Sequence, residues 1–187
     1  MDPFSYLAVL ISIILGFGIT QLLNGVGRLL QHRHRVRVYS PTLGWVGLLL
    51  LLHVQTWWAM FGLRSYQQWS FVAFLVVLLQ PIILYLLAAL ALPDVSLENA
   101  GDLRANYYDH SQWFFGLAVL LLAASLTRDR VLAGHFPNQL NLSVHALLLL
   151  GWGAGAITRR EWYHRLLVPY TALLMAGYIA VLFRTLP

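Results

Sequence analysis

Long apolar runs alternate with short polar breaks along this chain, and six runs are of membrane-crossing length or close to it: residues 4–31, 41–63, 70–92, 110–127, 139–158 and 162–184. A hydrocarbon core of about 30 Å takes about 20 helical residues at 1.5 Å each, and a helix satisfies its own backbone polar groups inside lipid. The pattern therefore predicts an all-α, polytopic integral membrane protein, a six-transmembrane-helix bundle forming a single membrane domain over residues 1–187. The longest connections, 93–110 and 127–138, are too short to bury a core of their own.

Local chemistry marks the expected helix ends. Ser40 before Pro41 reads as a capping hydroxyl followed by proline at the first helical position, and Asp109 with Gln112 reads as an acidic capping box starting the fourth helix. Leu92, Pro93 and Asp94 stop the third helix, leaving a polar stretch that lies at the membrane surface as a loop or a short interfacial helix. Trp45, Trp69, Trp162 and Tyr163 fall near predicted ends, where amphipathic rings anchor. The first apolar run lacks a preceding basic region and exceeds a signal-peptide core, so it is expected to be retained as a helix.

Charge sets the expected orientation. Arg28, Arg33, Arg35, Arg37, Arg104, Arg159, Arg160 and Arg165 fall on one side of this topology, while Arg64, Arg128, Arg130 and Arg184 fall on the other. The positive-inside rule puts the first set in the cytoplasm and the N- and C-termini both on the extracytoplasmic side, in a plasma membrane taken to be the bacterial inner one. The net charge of +5 calls for no nucleic acid, because the His32 to Arg37 stretch meets anionic headgroups near Arg33, Arg35 and Arg37. The chain holds no cysteine, which excludes thiol redox relays and zinc–thiolate sites.

Polar residues inside the apolar runs carry the candidate chemistry. Ser12, Gly16, Thr20 and Asn24 recur every four residues on the first helix, with Gln21, Arg28 and Gln31 beside them; such a face suits a neighbouring helix or a cavity. Gly151 with Gly155, and Ala172 with Ala176 and Ala180, read as packing rows. In the second and third helices His53, Gln55, Trp58 and Gln80 lie deep, and Pro81 frees the Val77 carbonyl. Gln21, Asn24, Arg28, His53, Gln55, Trp58 and Gln80 are therefore the candidate cavity residues. Arg28 and Asp109 are a candidate ion pair gating the inner mouth, set against the plainer reading of a snorkelling arginine and a helix cap. The plainer reading of His53 is a hydrogen-bonded core residue contacting Gln80 or Thr20. Pro81 and Pro169 sit at different depths, so an inverted repeat of the two halves stays open.

Absences narrow the function. No carboxylate lies in the central layer, which disfavours ion-coupled transport, and Asp94, Glu98 and Asp102 offer at most a weak surface cation site. No phosphate loop, zinc-protease motif or serine nucleophile motif occurs. The leading expectation is a small conduit or binding protein for a neutral, anionic or amphipathic solute, most simply a non-enzyme with no cofactor and assembled as a homo-oligomer. Two alternatives remain: a b-type haem protein with His53 and His145 as axial ligands, and a non-catalytic accessory subunit of a membrane complex.

Overall fold

The structure, a computed structural model, describes residues 3–93 and 102–182. Six helices follow in order: α1 (Pro3–Gln31), α2 (Ser40–Met60), α3 (Phe71–Ala91), α4 (Leu103–Ala133), α5 (Gln139–Ile157) and α6 (Glu161–Leu182), with a 3₁₀ turn (Phe61–Ser65) extending α2. No strand forms among the described residues, where Arg37 and Asp102 make an isolated backbone bridge. Five helices are long and apolar enough to cross a membrane: α1, α2 with its 3₁₀ extension, α3, α5 and α6. The exception, α4, carries Arg104, Asp109 and His110 toward one end and Arg128, Asp129 and Arg130 toward the other. Large apolar side chains face outward as a lipid-facing surface requires, among them Leu150 at 71 % exposure and Leu173 at 75 %.

The helices close into a bundle. α1 packs on α2 and α3, α3 on α4, α4 on α5 and α5 on α6; α6 returns to α2, which also touches α3 and α4. The rotation of α1 follows from its apolar spacing. Leu7, Ile11, Leu15, Gly18, Leu22, Gly25 and Leu29 recur at three- and four-residue steps and are all buried, a seam that turns one face inward. The same rotation puts Ser12, Thr20 and Asn24 outward, all exposed. Gly151 and Gly155 are packing positions: a methyl group at either would meet the Tyr170 ring, or Leu167 and Phe115. Ala176 and Ala180 are exposed instead, and His164, Leu167, Thr171 and Met175 take the buried positions of α6 among the described residues.

The fourth helix departs most from expectation. It begins at Leu103 rather than residue 110, because the Asp102 carboxylate accepts from the backbone N–H groups of Arg104 at 2.9 Å and Ala105 at 3.2 Å. Asp109 and Gln112 therefore lie inside the helix and form no capping box. Its first turns are amphipathic, burying Leu103, Tyr107, Ser111 and Phe114 while exposing Arg104, Asp109 and His110, a pattern that mean hydropathy does not register. It ends at Gly134, whose φ of 74° suits the left-handed position that lets its N–H reach the Arg130 carbonyl. Ser40 likewise lies within α2, and Tyr39 precedes the helix without a side-chain cap. Burial and a 3.0 Å hydrogen bond with Tyr108 push the Tyr39 hydroxyl above its ordinary range, so it stays neutral. Asp94 and Glu98, two of the three acids of the expected surface cluster, lie outside the described residues.

Candidate functional site

An aromatic layer divides the bundle interior. Trp45 of α2 stands edge-on to Phe114 and Phe115 of α4 and Trp152 of α5, with ring centroids 5.3, 5.5 and 6.2 Å away. A hydrogen-bond chain of fixed direction crosses this layer. An indole N–H only donates, so Trp45 Nε1 donates to the Tyr107 hydroxyl at 3.3 Å. A carbonyl only accepts, so His164 Nε2 carries its proton toward the Thr158 oxygen at 2.9 Å. The His164 Nδ1 lone pair is left to accept from the Tyr107 hydroxyl at 2.9 Å. The Trp45 indole, the Tyr107 hydroxyl and both His164 nitrogens are thus all paired, and His164 is fully buried.

On the far side of Trp152, away from the arginine-rich loops, α2 to α6 border a partly open cavity of about 80 Å³. Its polar lining comprises Gln55, Gln80, Ser125, Arg128, His145 and Tyr178, set among Leu52, Leu121, Leu122, Val144, Leu148, Met175 and Ile179. Gln80 links two neighbours: its Nε2 donates to Thr56 Oγ1 at 3.4 Å, and its Oε1 accepts from Arg128 Nη1 at 2.8 Å. Arg128 Nε and Nη2 both donate to Asp129 Oδ1, at 3.1 and 2.8 Å, and the two side chains are only 17 % and 21 % exposed. Three of the five guanidinium N–H groups are thus engaged, leaving one each on Nη1 and Nη2 for another acceptor. His145 Nδ1 donates to the Asn141 carbonyl at 2.9 Å, so its Nε2 accepts from Ser125 Oγ at 3.4 Å. The amide of Gln55 makes no hydrogen bond among the described residues. Arg128 and Asp129 together bring almost no net charge, so the enclosure offers donors and acceptors rather than a strong field.

The residues expected to share one cavity are divided among several places. Gln55 and Gln80 line the enclosure, as does His145, named only for the haem alternative. His53 is fully buried elsewhere. Its Nδ1 donates to the Leu49 carbonyl at 2.7 Å, and its Nε2 makes no hydrogen bond and lies against Gly18 of α1. It contacts Gly18 rather than the expected Gln80 or Thr20, because Gln80 is committed to Thr56 and Arg128 and Thr20 faces outward. Trp58 lines a separate groove between α1 and α2. On α1, Asn24 is exposed and Gln21 and Arg28 are half-buried, and none of them reaches the cavity, whose lining comes from α2 to α6 alone. Arg28 and Asp109 do not pair with each other: Asp109 is exposed, and the ion pairs among the described residues are Arg104 with Glu161, Arg128 with Asp129 and Arg165 with Glu161.

A haem ligated by His53 and His145 does not fit these residues. An axial nitrogen needs an open slot for the porphyrin, and His53 Nε2 abuts Gly18 too closely to admit even a methyl group. Of the residues missed from sequence, Ser125 and Arg128 of α4 and Tyr178 of α6, the two on α4 had a readable signal. Leu121, Leu122, Ser125 and Arg128 share one helical face, and extending the helix past residue 127 brings Arg128 inward with the rest.

The fold defines a class: a helical-bundle integral membrane protein with a partly polar enclosure among its helices. No protein family, curated protein or solved structure matches this chain.

Proposed function

We propose that this protein is a membrane-embedded binding protein or conduit for a small neutral or zwitterionic solute or the polar head of an amphiphile. The observation that carries the reading is Arg128, a half-buried guanidinium held by Gln80 and Asp129 in a cavity with two N–H donors to spare. The Asp129 carboxylate offsets its charge, which favours neutral or zwitterionic groups over simple anions. Beyond the cavity the aromatic layer fills the interior, so passage requires that layer to part, whereas binding does not. On this reading α4 also spans: 31 residues at about 1.5 Å each exceed the bilayer core, and it packs on both α3 and α5, which are themselves long and apolar enough to cross. With α4 spanning there are six spans, and the arginine asymmetry then favours arginine-rich loops in the cytoplasm and both termini outside a bacterial inner membrane.

The test is thermal unfolding of the purified protein against short-chain amphiphiles with neutral, zwitterionic, anionic and cationic heads. A neutral or zwitterionic member should raise Tm through preferential binding to the folded state, and Gln55→Leu should abolish the rise while leaving the ligand-free Tm within a few degrees. No shift from any member, or a shift that survives Gln55→Leu, overturns the reading.

A second reading is supported by one observation of its own. Ser12, Thr20 and Asn24 present hydroxyls and an amide where lipid offers few partners, which suits α1 to a partner helix in an accessory subunit or a homo-oligomer.

A further inference from the structure

At the end of the bundle where α1 begins and α2 ends, the two helices border an apolar groove of about 660 Å³. Phe4, Ala8, Ser12, Trp57, Trp58 and Phe61 line it, and it reaches along α1 to Ile13. Ile13 lies nine steps along the helix from Phe4, about 13 Å, close to the roughly 15 Å depth of one leaflet's hydrocarbon. The groove is thus open to the bilayer, apolar except for Ser12, and as deep as one acyl chain's layer. At its mouth the chain turns into the 3₁₀ segment and places Arg64 with its guanidinium 5.0 Å above the Phe61 ring, which is itself part of the groove wall. Arg64 is exposed and has no acidic partner among the described residues.

We propose that this groove is a phospholipid site, holding one acyl chain of an anionic phospholipid with the headgroup phosphate on Arg64. The choice of occupant follows from charge. A guanidinium stacked on the rim carries a positive charge with several free N–H donors, at the level where a bilayer presents phosphate oxygens, and a planar donor fork matches those oxygens. An apolar partner helix would fill the groove and leave that charge unanswered. Trp57, 58 % exposed, and Trp58 flank the chain at the depth of the ester linkages, where indole rings settle. Transfer of the acyl chain from bulk lipid to the groove gains little by itself, because both are apolar. Selectivity therefore resides in the Arg64 contact and should be modest. The proposal depends on the membrane placement of α1 and α2 and is independent of the cavity around Arg128.

The experiment is native mass spectrometry of the protein released from nanodiscs of equal parts phosphatidylcholine and phosphatidylglycerol. The wild type should retain one phosphatidylglycerol per protein, about fivefold over phosphatidylcholine. Arg64→Gln should remove that preference with helical content unchanged by circular dichroism. Arg130→Gln, which deletes another exposed arginine from the far end of α4, should keep it. Equal retention of both lipids by the wild type, an unaltered preference in Arg64→Gln, or an equal loss in both variants would overturn the proposal, as would release of a dimer with no lipid attached.

Discussion

Alanine at Gly18 will strongly destabilise the packing of α1 on α2. The added Cβ would lie 2.1 Å from His53 Nε2, far inside van der Waals contact. The imidazole has little room to withdraw, since it is fully buried and its Nδ1 is held by the Leu49 carbonyl at 2.7 Å. Overpacking a close-packed interior costs about 1–3 kcal/mol, and a rigid ring opposite a backbone places this site at the upper end. Alanine at Gly16 or Gly27, where nothing lies within 4 Å, should be neutral or slightly stabilising, because it replaces glycine in a helix without a clash. The decisive measurement is a double-mutant cycle by reversible unfolding in mixed micelles. His53→Ala costs stability alone, but in the Gly18→Ala background it should cost at least about 1 kcal/mol less, since it removes the clash. Additive effects of the two substitutions would show that the Gly18 penalty has another origin.

Arg128→Met should cost about 3 kcal/mol of stability, the second large effect. The substitution takes away the donors serving Asp129 Oδ1 and Gln80 Oε1, leaving a carboxylate that is only 21 % exposed without its counter-charge. The sign of the partner effect is informative. Adding Asp129→Asn to Arg128→Met should restore a large part of the loss, because the stranded charge is then gone. Guanidine or thermal unfolding of the single and double variants reads this directly. A double variant that is less stable than Arg128→Met alone would show that Asp129 does not depend on Arg128.

These two sites mark where sequence and structure part. Hydropathy alone predicts an all-helical bundle with several membrane spans, because lipid admits few alternatives for so many long apolar runs. It also marks Gln80 as interior, since an amide amid Val77, Leu78 and Ile83 has no favourable place in hydrocarbon. What hydropathy does not convey is rotation. The polar row of α1 is regular enough to pass for an inner face, yet the Leu7 to Leu29 seam outcompetes it, because packing surfaces are matched between helices that a single sequence does not place side by side. The ends of α4 were missed for a related reason: helical residues that are polar on one side lower the average and are read as loop. Arg128 accordingly stood among the residues outside the membrane, although its spacing from Leu121 and Ser125 puts it on the buried face.

The central claim is that Ser125, Arg128 and His145 border a polar space inside the bundle while the opposite side of α4 meets lipid. Because the chain has no cysteine, single introduced thiols report without background. Ser125→Cys and Ala123→Cys lie about 3 Å apart in depth, the first at the cavity and the second exposed on the outer surface of α4. In proteoliposomes, a small water-soluble methanethiosulfonate should modify the thiol at position 125 and leave that at position 123 unmodified. Modification at position 123 with none at 125 would mean that α4 turns the other way, and the account would fall.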